Sequence, residues 1–313
     1  MKKLISELEE GQQVDSLFSV KYKKPIVPYE GGFRFVLGAS DRSGEIEIHY
    51  WGGAKEDEVR EVYERVKEGE VVRVRGFVGK FREKLKIDVN QGSGTIERSS
   101  SYSIEDFIAK SPRDASEMRK ELKAIIESID DSDYRKLVKE VLKRNEERFY
   151  VWPAAMYLHH AHLNGLLEHT LNCCKMGDAF ARIYSIDRDL LIAGLALHDI
   201  GKTKEFEVST NIKVGEEGML RGHIVIGEEI VREVGKEIGT DERKLNKVCH
   251  IIISHHGTKE YGSPKEPEFP EAVATHYIDL LDSRTVQYMQ AIEEANTEDF
   301  RTYKKGLGEI YLR

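Results

Sequence analysis

Along the first hundred residues, hydrophobic and polar positions alternate in short runs at 33–37, 45–51, 71–78 and 85–89. Alternation with period two predicts half-buried strands, and the glycine-containing stretches between the runs, at 30–32, 41–44 and 52–53, predict the turns. Between the second and third runs, residues 55–67 change period: Val59, Val62, Tyr63 and Val66 fall on one helical face. Strands, one helix and more strands within about 85 residues predict a five-stranded Greek-key barrel of OB type. An SH3-like barrel is the alternative, but it has no natural place for the inserted helix. After the polar stretch Arg98-Ser99-Ser100-Ser101 the pattern turns helical and stays so. Its spacing predicts helices over 113–129, 133–147, 165–184, 189–198, 223–238, 241–254 and 270–289, with a small hairpin allowed in 203–220. The expected organisation is an OB barrel at 1–100, an all-α domain at 151–313, and between them a helical linker region at 101–150 packed on the all-α domain.

Composition narrows the class of protein. The 313 residues are 40% hydrophobic and 33% charged, which suits a soluble chain with a sizeable core. No run of about 18 apolar residues occurs, so no membrane span is expected. The opening MKKLISELEEGQQ lacks the apolar stretch of a signal peptide. Cys173, Cys174 and Cys249 form no C-x-x-C pair, and they read as buried thiols in a reducing cytoplasm. The formal net charge of −8 argues against nonspecific nucleic-acid binding by the whole surface. Its distribution says something else, because residues 71–86 hold six basic side chains against one acid. Arg73 and Arg75 alternate with valines there, and Phe77, Lys80, Phe81, Arg82, Lys84 and Lys86 come after them. Basic strands with interleaved aromatics can track a phosphate backbone and stack bases. Phe33, Phe35, Tyr50 and Trp51 are further stacking candidates on other strands.

Histidine is the more informative residue. Ten of the eleven lie between His159 and His276, where an even spread would put about four. His169, His198-Asp199, His223, His255-His256 and His276 each sit inside or at the end of an otherwise apolar helical pattern. Inward-facing imidazoles need partners, and a metal supplies one to several at once. Imidazole with carboxylate suits Mn²⁺, Fe²⁺, Co²⁺ or Ni²⁺ better than a thiolate-selecting ion.

The order His169, His198-Asp199, His223, His255, Asp279 resembles the HD-domain superfamily of metal-dependent phosphohydrolases. The strings HHAHLNGLLEHT, LLIAGLALHDIGKTKEF, GHIVIGEE and ISHHGTKEYGSPKEPEFPEA are similar to one branch, the OB-fold plus HD-domain exoribonucleases of the YhaM type. The resemblance runs from the barrel to about Arg284. Met156-Tyr157 departs from it, since that family has a lysine there. It implies a metal-dependent 3′→5′ exoribonuclease acting on single-stranded RNA, with single-stranded DNA as a second substrate. It implies a pair of divalent ions, Mn²⁺ foremost, held by His169, His198 and Asp279 on one side and His223 and His255 on the other. Asp199 would bridge them, and Lys202 would join it in catalysis. His256 is the competitor to His255 as ligand, and His159, His160 and His256 are candidates to contact metal or phosphate. Asp282, one turn beyond Asp279, reads as supporting the ligands. His49, His162, His250 and His276 read as packing or hydrogen bonding, and the oligomeric state stays open, a homo-oligomer included. Three other readings use the same residues: a hydrolase of a small nucleotide or cyclic dinucleotide, an HD-type di-iron oxygenase, and an idle RNA-binding protein. The last should have lost ligands, and all six are present.

Overall fold

The computed structural model describes residues 3–82, 84–156, 160–295 and 297–312. The chain forms two compact units, Met1–Ala109 with Ser209–Asn211, and Lys110–Val208 with Ile212–Arg313. The expected boundary at residue 100 precedes the observed division by a short 3-10 turn at Ile104–Asp106, which stays with the first unit. No helix among the described residues is long and apolar enough to cross a membrane.

The first unit is built from β1 (Gln13–Tyr29), β2 (Gly32–Asp41), β3 (Gly44–Trp51), α1 (Glu56–Arg65), β4 (Val71–Phe81), β5 (Lys84–Asn90) and β6 (Thr95–Arg98). Their order is β1-β2-β3-β5-β4, closed by β1 pairing with β4, and β3 with β5 is the parallel pair. This is the OB topology, with α1 in the β3–β4 connection. Closure rests on β1. Its first half, Gln13 to Ser19, pairs with β4, and from Ser19 to Tyr29 it pairs with β2, with irregularities inside that second ladder at Val20/Tyr22 and Lys24/Val27. Bulges bend a strand and raise its twist, so one long strand can serve two edges. Phe18, Leu37, Ile48, Val72, Val74 and Ile87 fill the interior. β1 and β6 lie outside the expected runs.

The second unit is mainly helical. It contains α2 (Ala115–Glu127), α3 (Ser132–Arg144), α4 (Glu146–Phe149), α5 (Gly165–Ile183), α6 (Arg188–Leu197) and α7 (Lys202–Glu205). After a hairpin of β7 (Phe206–Val208) and β8 (Ile212–Val214) come α8 (Glu216–Glu237), α9 (Glu242–Ser254) and α10 (Pro270–Glu293). A second hairpin, β9 (Arg301–Lys304) with β10 (Gly308–Tyr311), corrects the all-α expectation for this half. Aspartates open four of the helices, Asp114, Asp131, Asp187 and Asp241 each accepting backbone N–H bonds from the first turn. α6 is buried on every side from Leu190 to Leu197, as its unbroken apolar sequence demands. α2 and α3 share its core through Met118, Leu122, Leu137 and Val141. α8 starts seven residues before the expected position and breaks at Gly222 (φ 69, ψ 155), a conformation glycine takes without steric cost.

Candidate metal centre

Five helices bring their ends or inner faces to one point. His169 lies in the second turn of α5, His198 and Asp199 follow the last turn of α6, and His223 follows the Gly222 break in α8. His255 closes α9, and Asp279 lies within α10. Asp199 is nearly buried and has donors on both sides. Its Oδ2 is 3.5 Å from Nε2 of His169 and of His198. Its Oδ1 is 3.7 Å from Nε2 of His223 and of His255. On the first side, His169 Nε2 lies 3.1 Å from His198 Nε2 and 3.3 Å from Asp279 Oδ1, and His198 Nε2 lies 3.9 Å from that same oxygen. Donors bound at about 2.0–2.2 Å to a shared ion stand about 3.0–3.6 Å apart when adjacent and up to about 4.4 Å when opposite, so these separations suit coordination.

The imidazoles are already held in the orientation a metal needs. His198 donates Nδ1–H to Leu195 O (2.9 Å) and His255 to Ile252 O (2.7 Å). His223 donates to Glu205 Oε1 (3.2 Å), and His169 to Asp282 Oδ2 (2.7 Å). With each Nδ1 carrying a proton, Nε2 is the atom each ring turns toward the centre. At His169, against the opposing effect of burial, Cys173, Asp279 and Asp282 hold the imidazole well above its ordinary value, so an ion there must displace a proton from Nε2. Asp199 Oδ1, His223 Nε2 and His255 Nε2 are buried and find no hydrogen-bond partner among the described residues. Buried polar atoms in native proteins are nearly always satisfied, and a cation between them satisfies all three.

Electrostatics favours the same occupant. Burial opposes ionisation of Asp199, but Lys202 and the surrounding imidazoles outweigh it and hold the carboxyl well below its usual range. Asp279 is also lowered, despite its burial, by its hydrogen bond with His169 and by His198. Burial, with His256 and His198 nearby, pushes His255 well below its ordinary value. Ionised carboxylates beside a neutral imidazole are in the state that ligates.

The remaining expected residues fall in several places. Lys202 Nζ donates to Asp199 Oδ2 at 2.7 Å and faces the cavity over the site. His256 donates Nδ1–H to Tyr261 O (2.8 Å) and stacks edge-on against His255, while His255 Nε2 is the atom turned toward Asp199. His160 is buried behind His169, with Nε2 2.9 Å from Asp282 Oδ2, and does not line that cavity. His159 lies outside the described residues. Cys173 Sγ is 3.8 Å from His169, and burial pushes its thiol up to about 11, so it stays protonated. Glu205 is the residue sequence reasoning missed. It accepts from both His223 Nδ1 and the His223 backbone N–H, but it stands eighteen positions away with no local spacing to mark it.

Asp282 does more than fill space. Its Oδ2 accepts from His169 and His160, and its Oδ1 from Asn172 Nδ2 at 3.0 Å. Asp282→Asn replaces one acceptor oxygen with a donor, so one of its three present donors must lose its partner, and His169 and His160 share the oxygen most exposed to that change. Metal affinity is expected to fall roughly 10–100-fold, the usual loss when the group orienting a ligand is removed. Titration of the metal-stripped protein checks this, and wild-type affinity in the variant would refute the orienting role.

On the barrel, Arg73, Arg75 and Phe77 project outward from β4. Asp15 Oδ1 accepts from Arg73 Nε at 2.6 Å, and its Oδ2 from Arg75 Nε at 3.1 Å. Phe77 and Phe81 are exposed, 43% and 59%, and the Arg82 guanidinium lies 5.3 Å from the Phe81 ring centre. Lys80 and Lys84 lie at or near the surface, whereas half-buried Lys86 pairs with Asp88 Oδ2 at 2.7 Å and lies 5.5 Å from the Trp51 ring. Phe81, Arg82, Lys86, His49 and Tyr22 line a cavity of about 810 Å³. Two stacking candidates are corrected: Phe35 and Tyr50 are buried and stack on each other in the barrel core. Phe33 packs partly against that core, and Trp51 donates Nε1–H to Asp88 at 2.7 Å.

Comparison with known proteins adds four findings. Residues 166–284 match the HD domain family. The 3′-5′ exoribonuclease YhaM of Bacillus subtilis (strain 168) is 31% identical over 301 residues, covering 96% of this chain and 94% of that protein. That of Bacillus velezensis is 32% identical over 303 residues, covering 96% and 94%. A solved domain of replication protein A from Methanococcus maripaludis is 24% identical over 32% of this chain and all of its own, with a TM-score of 0.26.

Proposed function

This chain belongs to the family of YhaM 3′-5′ exoribonucleases, and from that premise we propose how its own residues act on single-stranded RNA. The family's activity is metal-dependent 3′-5′ exoribonucleolysis, which disfavours the oxygenase, the idle binder and the small-nucleotide hydrolase. One observation carries the assignment of residues: the two oxygens of Asp199 face two separate groups of donors. His169, His198 and Asp279 would hold one divalent ion, His223 and His255 the other, and Asp199 would be shared. Imidazole and carboxylate donors favour Mn²⁺ over a thiophilic ion. Such ions supply an activated water and stabilise the charge of an in-line displacement at phosphorus. Lys202 holds Asp199 in place and presents positive charge to the cavity where a phosphate must sit. Asp282 and Glu205 fix the rings of His169 and His223. The exposed Phe77, Phe81, Arg82 and Lys84 give the barrel faces for bases and charges for phosphates.

A metal-stripped sample given 5′-labelled single-stranded RNA tests the reading, with single-stranded DNA of the same sequence beside it. Shortening from the 3′ end should stop without metal and return with Mn²⁺. Full RNA cleavage by protein shown by mass spectrometry to be metal-free would overturn it, and equal turnover of DNA would overturn the preference for RNA.

A further inference from the structure

The cavity over the metal centre does not end there. It has a volume of about 870 Å³, well above the roughly 300 Å³ at which small-molecule sites begin, so more than one nucleotide fits. One end is walled by Lys202, His223, His256 and Asp279. From Asp279 it runs along α10, past Ser283, Gln287, Gln290 and Glu294, to the turn of the β9–β10 hairpin at Lys304–Leu307. Residues four apart on a helix share a face and stand about 6 Å apart along it, so these side chains form one polar stripe leading away from the site. Arg284 stands beside the stripe.

The chemistry of this arm is selective. Glu294 pairs with Lys304 and cancels its charge, which leaves Arg284 and Lys305 as the uncompensated cations. Both are exposed, and Lys305 pairs with no acid among the described residues. Gln287 and Gln290 are half-buried, Gln287 Oε1 accepts from the Arg284 guanidinium at 3.4 Å, and an amide still offers donors and a second lone pair to a hydroxyl. A ribose 2′-hydroxyl has the same dual character and is the group that distinguishes RNA from DNA. Tyr261, Phe206 and Leu307 add apolar walls against which a base can lie.

We propose that this arm is the binding site for the ribose-phosphate segment adjoining the scissile phosphate. Arg284 and Lys305 pair with its phosphates, and Gln287 and Gln290 engage its ribose hydroxyls. The inference rests on the RNA-hydrolase reading above and gives the metal centre a second, sugar-selective half.

The test uses full-length, metal-loaded protein and a 12-nucleotide RNA whose 3′-terminal linkages are phosphorothioates, with the matching DNA. The double variant Arg284→Ala, Lys305→Ala should bind this RNA at least about tenfold more weakly. Its log–log salt dependence should flatten by about 1.4, since each phosphate contact to a single strand carries about 0.7. Gln287→Ala should lower the RNA-over-DNA affinity ratio by about threefold or more. Lys143→Ala, an exposed change on α3, should alter neither affinity nor slope and controls for net charge. Wild-type affinity and slope in the double variant would overturn the phosphate contacts, and an unchanged RNA-over-DNA ratio in Gln287→Ala would overturn the ribose contact. Failure of the underlying reading looks different, because wild-type protein would then not shorten unmodified RNA with any divalent metal.

Discussion

Asp199→Ala is expected to reduce RNA hydrolysis roughly 10³-fold or more, well beyond the 10–100-fold typical of losing a group that only orients a ligand. The reason is geometric. Asp199 is the carboxylate whose two oxygens stand within 3.7 Å of all four inward Nε2 atoms, so its removal weakens both halves of the centre at once. The same change leaves the largely buried Lys202 ammonium without its partner, which in a folded core costs about 3–5 kcal/mol. Asp199→Asn keeps the volume and one acceptor for Lys202, and therefore separates lost chemistry from lost folding. Both variants should retain less metal by mass spectrometry, while Asn should melt closer to wild type than Ala. RNA affinity should change by less than about tenfold, because phosphate contacts come from cations elsewhere in the chain. A variant with two ions per chain and more than a tenth of wild-type turnover would remove Asp199 from the centre.

Burial decides how much of the molecule is legible in its sequence. His169, His198, His223, His255 and Asp279 stand out because each polar residue interrupts an apolar helix, and that interruption has few other physical causes. Asp282 is legible as a supporting residue because it lies one turn beyond Asp279. Glu205 is not, because it reaches His223 from another helix and its immediate neighbours, Thr203, Lys204 and Phe206, do not mark it. The barrel is legible through its alternating central strands. β1 escapes because its second half, with burial falling away after Val20, reads as a polar segment with two prolines. The C-terminal hairpin escapes for a related reason: Ile310 is its one buried residue, and its tyrosines 303 and 311 are 72% and 71% exposed. Phe35 and Tyr50 take the wrong role in the sequence pattern because period two shows that a face exists without showing which side is wet.

Gly201 is a position where the sequence points to the right residue for the wrong reason, and its replacement provides the sharpest structural test. One residue beyond His198-Asp199, a glycine suggests a chain reversal that only glycine allows. Its backbone is instead ordinary right-handed helix, φ −61 and ψ −22, which any residue adopts. What excludes a side chain is proximity. A Cβ there would lie 2.0 Å from the His223 carbonyl oxygen and 2.7 Å from the Gly227 nitrogen, both backbone atoms of α8 that cannot rotate aside. In Gly201→Ala the segment carrying His198 and Asp199 must therefore move away from the segment carrying His223. Overpacking of this kind costs typically about 1–3 kcal/mol, and at about 2–4 °C per kcal/mol for a unit of this size the melting temperature should fall by roughly 2–12 °C. The larger effect is on the site: Asp199 Oδ1 and His223 Nε2, now 3.7 Å apart, separate beyond the reach of one ion. One ion per chain should be lost, with turnover falling about 10²-fold or more. Gly239→Ala supplies the comparison, since its positive φ of 72 strains an added side chain while open space surrounds it. That variant should lose about 1 kcal/mol of stability and keep its metal. If Gly201→Ala instead retains wild-type metal content and turnover, the close approach of α8 is not what holds Asp199 and His223 together.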